Sequence, residues 1–228
     1  MKLSIIVPAH NEEKTLGVIV KELLGLKVFG WQFEIIIVDD GSKDGTWTAA
    51  ENFFGNGVVG IKKETNQGKG AAILEALKSV SGDFVLIQDA DGEYLPKDIP
   101  SLLLALGENK NCAVFGDRGS KSYPERGFHY VLAAKFLTWV FNALFKTRLH
   151  DLYTGYKLMP SSVLKSSKLS SAGFEFEAEV AARLCEQKLF IKEVPIGFKP
   201  RSKEQGKHIR FIDAFRGIKK MVDIKFNK

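Results

Sequence analysis

The sequence predicts an α/β fold with a mostly parallel central sheet, helices on both faces and amphipathic helices at the C-terminal end. Short apolar runs at residues 3–7, 33–38, 58–61, 84–87 and 112–115 alternate with stretches of helical periodicity. This is the pattern of strands joined by right-handed crossovers into parallel pairs. The turns at residues 8–12, 39–46, 66–70 and 89–93 are acidic or glycine-rich, and each follows a strand. Ligands of such sheets lie beyond the carboxyl ends of the strands, so these scattered turns are expected to converge. At 228 residues, with 45% hydrophobic and 26% charged residues, the chain has the size and composition of one globular domain.

Residues 3–7 read as a buried strand because the run is short, β-branched and closed by Pro8. Asn11 then stands as an N-cap, with Glu12 and Glu13 in the first turn of a helix carrying Leu16, Ile19, Val20, Leu23 and Leu24. The second strand ends in Asp39-Asp40-Gly41-Ser42, and the helix after it carries Trp47, Ala50 and Phe53 or Phe54. After the third strand, Asn66-Gln67-Gly68-Lys69-Gly70 opens a helix through Ile73, Leu77 and Val80. The fourth strand delivers Gln88-Asp89-Ala90-Asp91-Gly92-Glu93, and a helix through Leu102, Leu103 and Leu106 follows Pro96. The fifth ends in Gly116-Asp117-Arg118-Gly119.

The pattern then changes. Residues 128–145 are rich in aromatics, including Phe136, Trp139, Phe141 and Phe145, and are interrupted by Lys135 and Asn142. The segment is too short and too polar to span a bilayer. It reads either as a core helix or as a helix lying on a membrane surface. Residues 151–159 form a turn and a strand, 174–187 a helix with the apolar stripe Phe176, Val180 and Leu184, and 191–198 a further strand. A last helix over residues 209–226 is amphipathic and basic, and suits either a membrane surface or packing against the core.

Residues 199–228 hold ten Lys and Arg against three Asp and Glu, so the net charge of +6 is carried at the C-terminal end and the rest is near neutral. Such a tail meets phosphates or anionic lipid, or is a solvated face. No nucleic-acid-binding module accompanies it. Cys112 and Cys185 belong to no ligand or disulfide pattern. The first apolar run is too short for a signal peptide. A cytoplasmic location is expected.

Three carboxylates at alternate positions, Asp89, Asp91 and Glu93, end the fourth strand. Acids this close repel, and a hard divalent cation is their natural guest. The other reading is a solvated acidic turn around Gly92. Gly68-Lys69-Gly70 lacks the third glycine of a dinucleotide fingerprint, and no G-x-x-x-x-G-K-[ST] occurs. A diphosphate held on acids requires a bridging cation, with basic side chains opposite.

Four stretches, Val7-Pro8-Ala9-His10-Asn11-Glu12, Val38-Asp39-Asp40-Gly41-Ser42 with Asp44-Gly45-Thr46, Asn66 with Gly68-Lys69-Gly70, and Asp89-Ala90-Asp91-Gly92-Glu93 with Pro96, together resemble family 2 glycosyltransferases. The likeness is to the dolichyl-phosphate mannose synthase and polyprenyl-phosphate glycosyltransferase branch. Asp151 with Thr154-Gly155-Tyr156-Lys157, Phe174-Glu175-Phe176-Glu177, and Arg201 followed by Gly206-Lys207 agree with it.

The resemblance implies a Rossmann-like GT-A fold in one domain. A nucleotide-sugar-binding half would occupy residues 1–119, an acceptor-side half 120–208 and a basic helix 209–228. It implies that Pro8, Ala9, Glu12, Asp39, Asp40, Lys69, Asp89 and Ala90 hold the nucleotide sugar, and that Asp91, helped by Asp89 and Glu93, holds Mg²⁺ or Mn²⁺. Asp89, Asp91, Arg118 and Arg201 would serve catalysis, and Arg118, Arg126, Arg201 and Lys207 would meet an acceptor phosphate.

The chain departs from the pattern in having Glu93 where many relatives have Gln and Asp117 where Gly-Ser-Arg is frequent. Donor identity therefore stays open between GDP-mannose and UDP-glucose. The implied reaction is inverting, metal-dependent hexosyl transfer to a polyprenyl or dolichyl phosphate at the cytoplasmic face of a membrane, reached peripherally or through a membrane partner protein. Its rivals are transfer to a hydroxyl acceptor, with Asp151 or Glu175 as base, and a non-catalytic nucleotide-binding protein. No nucleic-acid partner is expected.

Overall fold

The computed structural model describes residues 1–107, 111–119, 128–201 and 211–226. Its strands are β1 (Lys2–Ala9), β2 (Gln32–Asp40), β3 (Val58–Lys63), β4 (Phe84–Ile87), β5 (Cys112–Asp117), β6 (Lys157–Pro160) and β7 (Phe190–Pro195). They form one seven-stranded sheet in the order β3-β2-β1-β4-β6-β5-β7. Every pairing is parallel except those of β6, which runs antiparallel to both β4 and β5. Between β1 and β4 the strand order reverses, which is where open α/β sheets leave a crevice at their carboxyl ends.

The helices are α1 (Leu16–Leu24), α2 (Thr46–Glu51), α3 (Lys69–Ala76), α4 (Ile99–Leu106), α5 (Phe128–Phe145), α6 (Ser161–Ser166), α7 (Glu175–Glu186) and α8 (Phe211–Phe226). Alternation along the strands divides the core between the two faces of the sheet. Ile6, Ile36, Val38, Val85 and Ile87 pack with Ile73 of α3, Phe141 of α5, Phe176 and Val180 of α7 and Met221 of α8. Leu3, Ile5, Val7, Ile35, Ile37 and Leu86 pack with Leu16 and Ile19 of α1 and Leu102 of α4. With both faces covered, the strands read as unbroken apolar runs.

Three elements differ from expectation. The helix expected to start behind Asn11 starts at Leu16. Asn11 sits at φ 56°, and residues 11–13 are tied instead to the turn after β2. Asn11 N–H donates to Ser42 Oγ (2.9 Å), Lys43 N–H to Asn11 Oδ1 (2.9 Å), Glu12 N–H to Thr46 Oγ1 (2.7 Å) and Gly45 N–H to Glu13 Oε2 (2.9 Å). Two loops that must line one cleft bond to each other, and helix formation is delayed. The strand expected within residues 151–159 is β6, whose antiparallel direction no local pattern announces. The short helix α6 follows it unforeseen.

Both α5 and α8 bury one part of their apolar surface and expose another. Leu137 and Phe141 of α5 and Met221 and Ile224 of α8 are buried, whereas Leu132, Phe136 and Trp139, and Phe215, Val222 and Phe226, are exposed. The two helices pack side by side. Among the described residues no helix is long and apolar enough to cross a membrane.

Candidate active site

A cleft of about 430 Å³ opens over the carboxyl ends of β1, β2 and β4, walled by residues 8–12, Asp40, Asn66, Gly68, Lys69, Ala90, Asp91, Gly173, Phe174 and Arg201. Three of the four predicted turns are its walls directly. The fourth contributes Asp40 and, behind it, Asp39.

Asp39 is almost wholly buried, opposite Ala9 in the sheet register. Its Oδ1 accepts Ser42 N–H (2.9 Å), while Oδ2 has no hydrogen-bond partner among the described residues. A buried carboxylate oxygen without a partner is costly, and such groups commonly await a ligand. Asp40 is fully engaged in bracing the next wall. It accepts Lys63 Nζ (2.5 Å), Gln67 N–H and Gly68 N–H (2.7 Å).

That wall explains its glycines. Gly70 N–H donates to the Ala172 carbonyl at 2.8 Å, and the two backbones lie so close that a Cβ on Gly70 would stand 2.2 Å from Ser171 O. On Gly68, whose φ is +98°, a Cβ would stand 2.5 Å from Ala172 O. Only glycine fits either position. The 171–174 segment is in turn held by Glu179, a fully buried carboxylate that accepts Ser170 and Ser171 N–H.

Lys69 follows, and its ammonium lies between Asp89 Oδ1 (2.8 Å) and Glu177 Oε1 (2.9 Å). Glu177 Oε2 continues to Lys157 Nζ (2.5 Å), which also donates to the Thr154 carbonyl and lies 4.9 Å from the centre of the Phe115 ring. The Lys157 side chain has no solvent exposure. Burial opposes ionisation throughout. The two carboxylates nevertheless hold the Lys69 pKa above the usual lysine value, and the two lysines hold Glu177 below the usual carboxylate value. Complete burial draws Lys157 down, against the pull of Glu177.

On the other side of the acidic turn, Asp91 Oδ1 accepts Glu93 N–H (3.0 Å). Glu93 Oε1 accepts the backbone N–H of Arg201 (3.0 Å). The Arg201 guanidinium grips Glu12 through two bonds (3.0 and 2.5 Å) and the Asp91 carbonyl through two more (2.9 and 2.7 Å). Burial alone would lower the Arg201 pKa, but the Glu12 carboxylate raises it. Arg118 is not on the cleft wall. Its Nε and Nη2 bond both oxygens of Asp151 (2.6 and 2.7 Å), and the guanidinium stacks 5.2 Å from the Phe198 ring. Arg126 and Lys207 lie outside the described residues.

Reading the residues did not single out Glu177 or Lys157 for a role. A signal was available for the first: Glu177 shares one helical face with Val180, Ala181 and Leu184, all buried. Among the described residues no group of three or more His, Cys, Asp and Glu is arranged as metal ligands. Glu93 Oε1 is occupied by the Arg201 backbone N–H. Two carboxylates with oxygen donors nevertheless match how Mg²⁺ or Mn²⁺ is held when substrate phosphates supply the remaining ligands.

Comparisons with known proteins bear on this arrangement. Over 223 residues the chain is 27% identical to a dolichol-phosphate mannosyltransferase of Pyrococcus furiosus, covering 91% of this chain and 59% of that protein. Over 177 residues it is 28% identical to a dodecaprenyl-phosphate galacturonate synthase of Rhizobium johnstonii, covering 74% and 51%. The chain thus spans little more than half the length of these relatives. Glucosyl-3-phosphoglycerate synthase of Mycobacterium tuberculosis shares the fold at 20% identity, covering 98% of this chain and 79% of that one. The TM-score is 0.76 for its UDP complex and 0.71 for its complex with Mn²⁺, UDP-glucose and phosphoglyceric acid. Residues 4–166 match the model of glycosyl transferase family 2, and with the sheet order and acidic cleft above, the chain belongs to that family and has the GT-A fold.

Proposed function

We propose that this chain moves a hexose, from GDP-mannose or UDP-glucose, onto a polyprenyl or dolichyl phosphate by a single inverting displacement. The observation that carries the donor half is the cleft itself, which brings Asp91, the Gly68-Lys69 helix start and Arg201 together over the β1–β4 crevice. Pro8, Ala9 and Ala90 form its apolar floor, and the unpartnered Asp39 Oδ2 suits a base N–H. Asp91, with Asp89 beside it, is the ligand set for Mg²⁺ or Mn²⁺ on the diphosphate. When bound, the cation offsets charge developing on the leaving nucleoside diphosphate. Arg201 reaches the same charge by exchanging Glu12 for a diphosphate oxygen. The metal-containing complexes of the Mycobacterium protein support a divalent cofactor.

The acceptor half rests on Asp151. Both its oxygens are taken by Arg118, so it is poorly placed to remove a proton from a hydroxyl. A lipid phosphate is already an anion and needs no base. The names of the relatives support the same acceptor class. The exposed aromatic stripes of α5 and α8, rimmed by Lys135, Arg216, Lys219 and Lys225, suit peripheral contact with an anionic leaflet at its cytoplasmic face, directly or beside a membrane partner.

A hydroxyl acceptor is favoured by one observation: Glu175, next to the cleft wall at Phe174, has a buried Oε2 with no hydrogen-bond partner among the described residues. The deciding experiment incubates the purified chain and Mn²⁺ with GDP-mannose or UDP-glucose, with and without polyprenyl phosphate, and measures sugar transferred. Transfer that requires the lipid phosphate is expected. Transfer to a free sugar with no response to lipid phosphate refutes the reading.

A further inference from the structure

Four side chains, Lys69 half-buried and the other three buried, alternate in charge from the acidic turn to the start of β6: Asp89, Lys69, Glu177 and Lys157, joined by contacts of 2.8, 2.9 and 2.5 Å. They come from the end of β4, the start of α3, the first turn of α7 and the start of β6. Gly155 closes over the same point, where a Cβ would stand 2.6 Å from Asp89 Oδ2 and 3.1 Å from Lys69 Nζ. Fully ionised, the chain of four is neutral. Isolated buried charges are expensive, and a closed sequence of pairs is how a fold retains them.

We propose that Glu177 and Lys157 are positioning residues of the donor site, holding Lys69 on Asp89 and keeping the group neutral, so that the net negative charge offered to a divalent cation is that of Asp91. This inference rests on the donor site proposed above. Glu177 does not touch the ligand. It takes one of the Lys69 hydrogen bonds, so that Lys69 keeps a fixed distance from Asp89 and does not swing into the cleft. Because Glu177 stands on α7 and Lys157 beside the 151–156 turn, the same contacts fasten the acceptor-side segments to the acidic turn.

The charge arithmetic gives opposite signs for two variants. Glu177→Gln leaves the group at +1 beside the cation site, Lys157→Met leaves it at −1, and the double variant restores neutrality. Mn²⁺ uptake is measured by calorimetry in the presence of GDP or UDP, with thermal melting of each variant alongside. Glu177→Gln is expected to weaken Mn²⁺ about 10-fold, the range for groups that orient metal ligands. Lys157→Met is expected to tighten it about 3-fold through the added negative charge. The double variant should return to near wild type. A merely structural role weakens binding in both single variants and more in the double.

Equal Mn²⁺ affinity in Glu177→Gln and wild type overturns the inference, as does a double variant no better than Glu177→Gln. Lys157→Met retains the Lys69–Glu177 pair and supplies an independent arm if Glu177→Gln fails to fold; weaker or unchanged binding in it overturns the inference. Wild-type chain that takes up no Mn²⁺ with either nucleotide overturns the donor-site reading, and the inference with it.

Discussion

The Arg201–Glu12 pair joins the segment after β7 to the turn after β1, and a double-mutant cycle measures it directly. Arg201 makes two bonds to Glu12 and two to the Asp91 carbonyl, and the paired side chains are 21% and 9% exposed. An exposed ion pair contributes about 0–1 kcal/mol, whereas hydrogen bonds to charged groups contribute roughly 1.5–3 kcal/mol. A two-pronged, partly buried pair falls between these limits, at a coupling of about 1.5 kcal/mol. Arg201→Ala also loses both Asp91 carbonyl bonds and should destabilise by about 2–3 kcal/mol in total. Urea unfolding of wild type, Arg201→Ala, Glu12→Ala and the double variant, at constant m-value, gives the coupling. Since neighbours that interact deviate from additivity by at least about 0.5 kcal/mol, additivity within about 0.3 kcal/mol refutes the pair as a structural contact. In the transfer assay Arg201→Ala should lose turnover by about 10²-fold, as for an electrostatic contact to the leaving group. Normal turnover with lowered stability leaves it a structural strap alone.

Asp91→Ala should abolish metal-dependent transfer with little change in melting temperature; transfer retained with Mn²⁺ refutes its role as ligand. Gly155→Ala places a Cβ 2.6 Å from Asp89 Oδ2, and should weaken nucleotide binding with Mn²⁺ by about 10-fold, read by calorimetry. At the opposite edge of the sheet, burial would raise the Glu34 pKa, but bonds from Lys2, Ser4 and Ser81 prevail and lower it from 4.5 to about 2. Its stabilisation is therefore complete above the unfolded value of 4.5 and is lost as pH falls from 4.5 toward about 2. Discounted for the solvent near Lys2, this amounts to about 1–2 kcal/mol, which Glu34→Gln should remove from the acid limb of a urea-stability profile. Phe136→Ser with Trp139→Ser, both exposed on α5, should reduce sedimentation with anionic liposomes several-fold without lowering the melting temperature. Unchanged sedimentation removes that face from the membrane contact.

Much of the cleft was legible because its signals are local. Strand runs such as residues 84–87 and 33–38 announce themselves by composition, and the parallel alternation then puts their ends on one edge. The start of α1 and the antiparallel direction of β6 were not legible. Asn11, Glu12 and Glu13 look like a helix start, yet their partners are Ser42, Lys43, Gly45 and Arg201, and those contacts prevail over local capping. Glu93 reads as a third metal acid by spacing, and the returning chain at Arg201 claims one of its oxygens. The apolar stripe Phe176, Val180 and Leu184 of α7 does not include Glu177 or Glu179, yet both are buried.

The sequence by itself determined the α/β alternation, the edge on which the turns gather and the acidic strand end at Asp89 to Glu93, because hydrophobic period and turn chemistry act between near neighbours. The tertiary structure alone decided which carboxylates are committed to cations of the chain itself. Lys69 meets Glu177 across 108 residues and Arg201 meets Glu12 across 189. No spacing rule reaches that far. Such pairs are selected by burial, where each desolvated charge must find its complement among whatever the fold brings near.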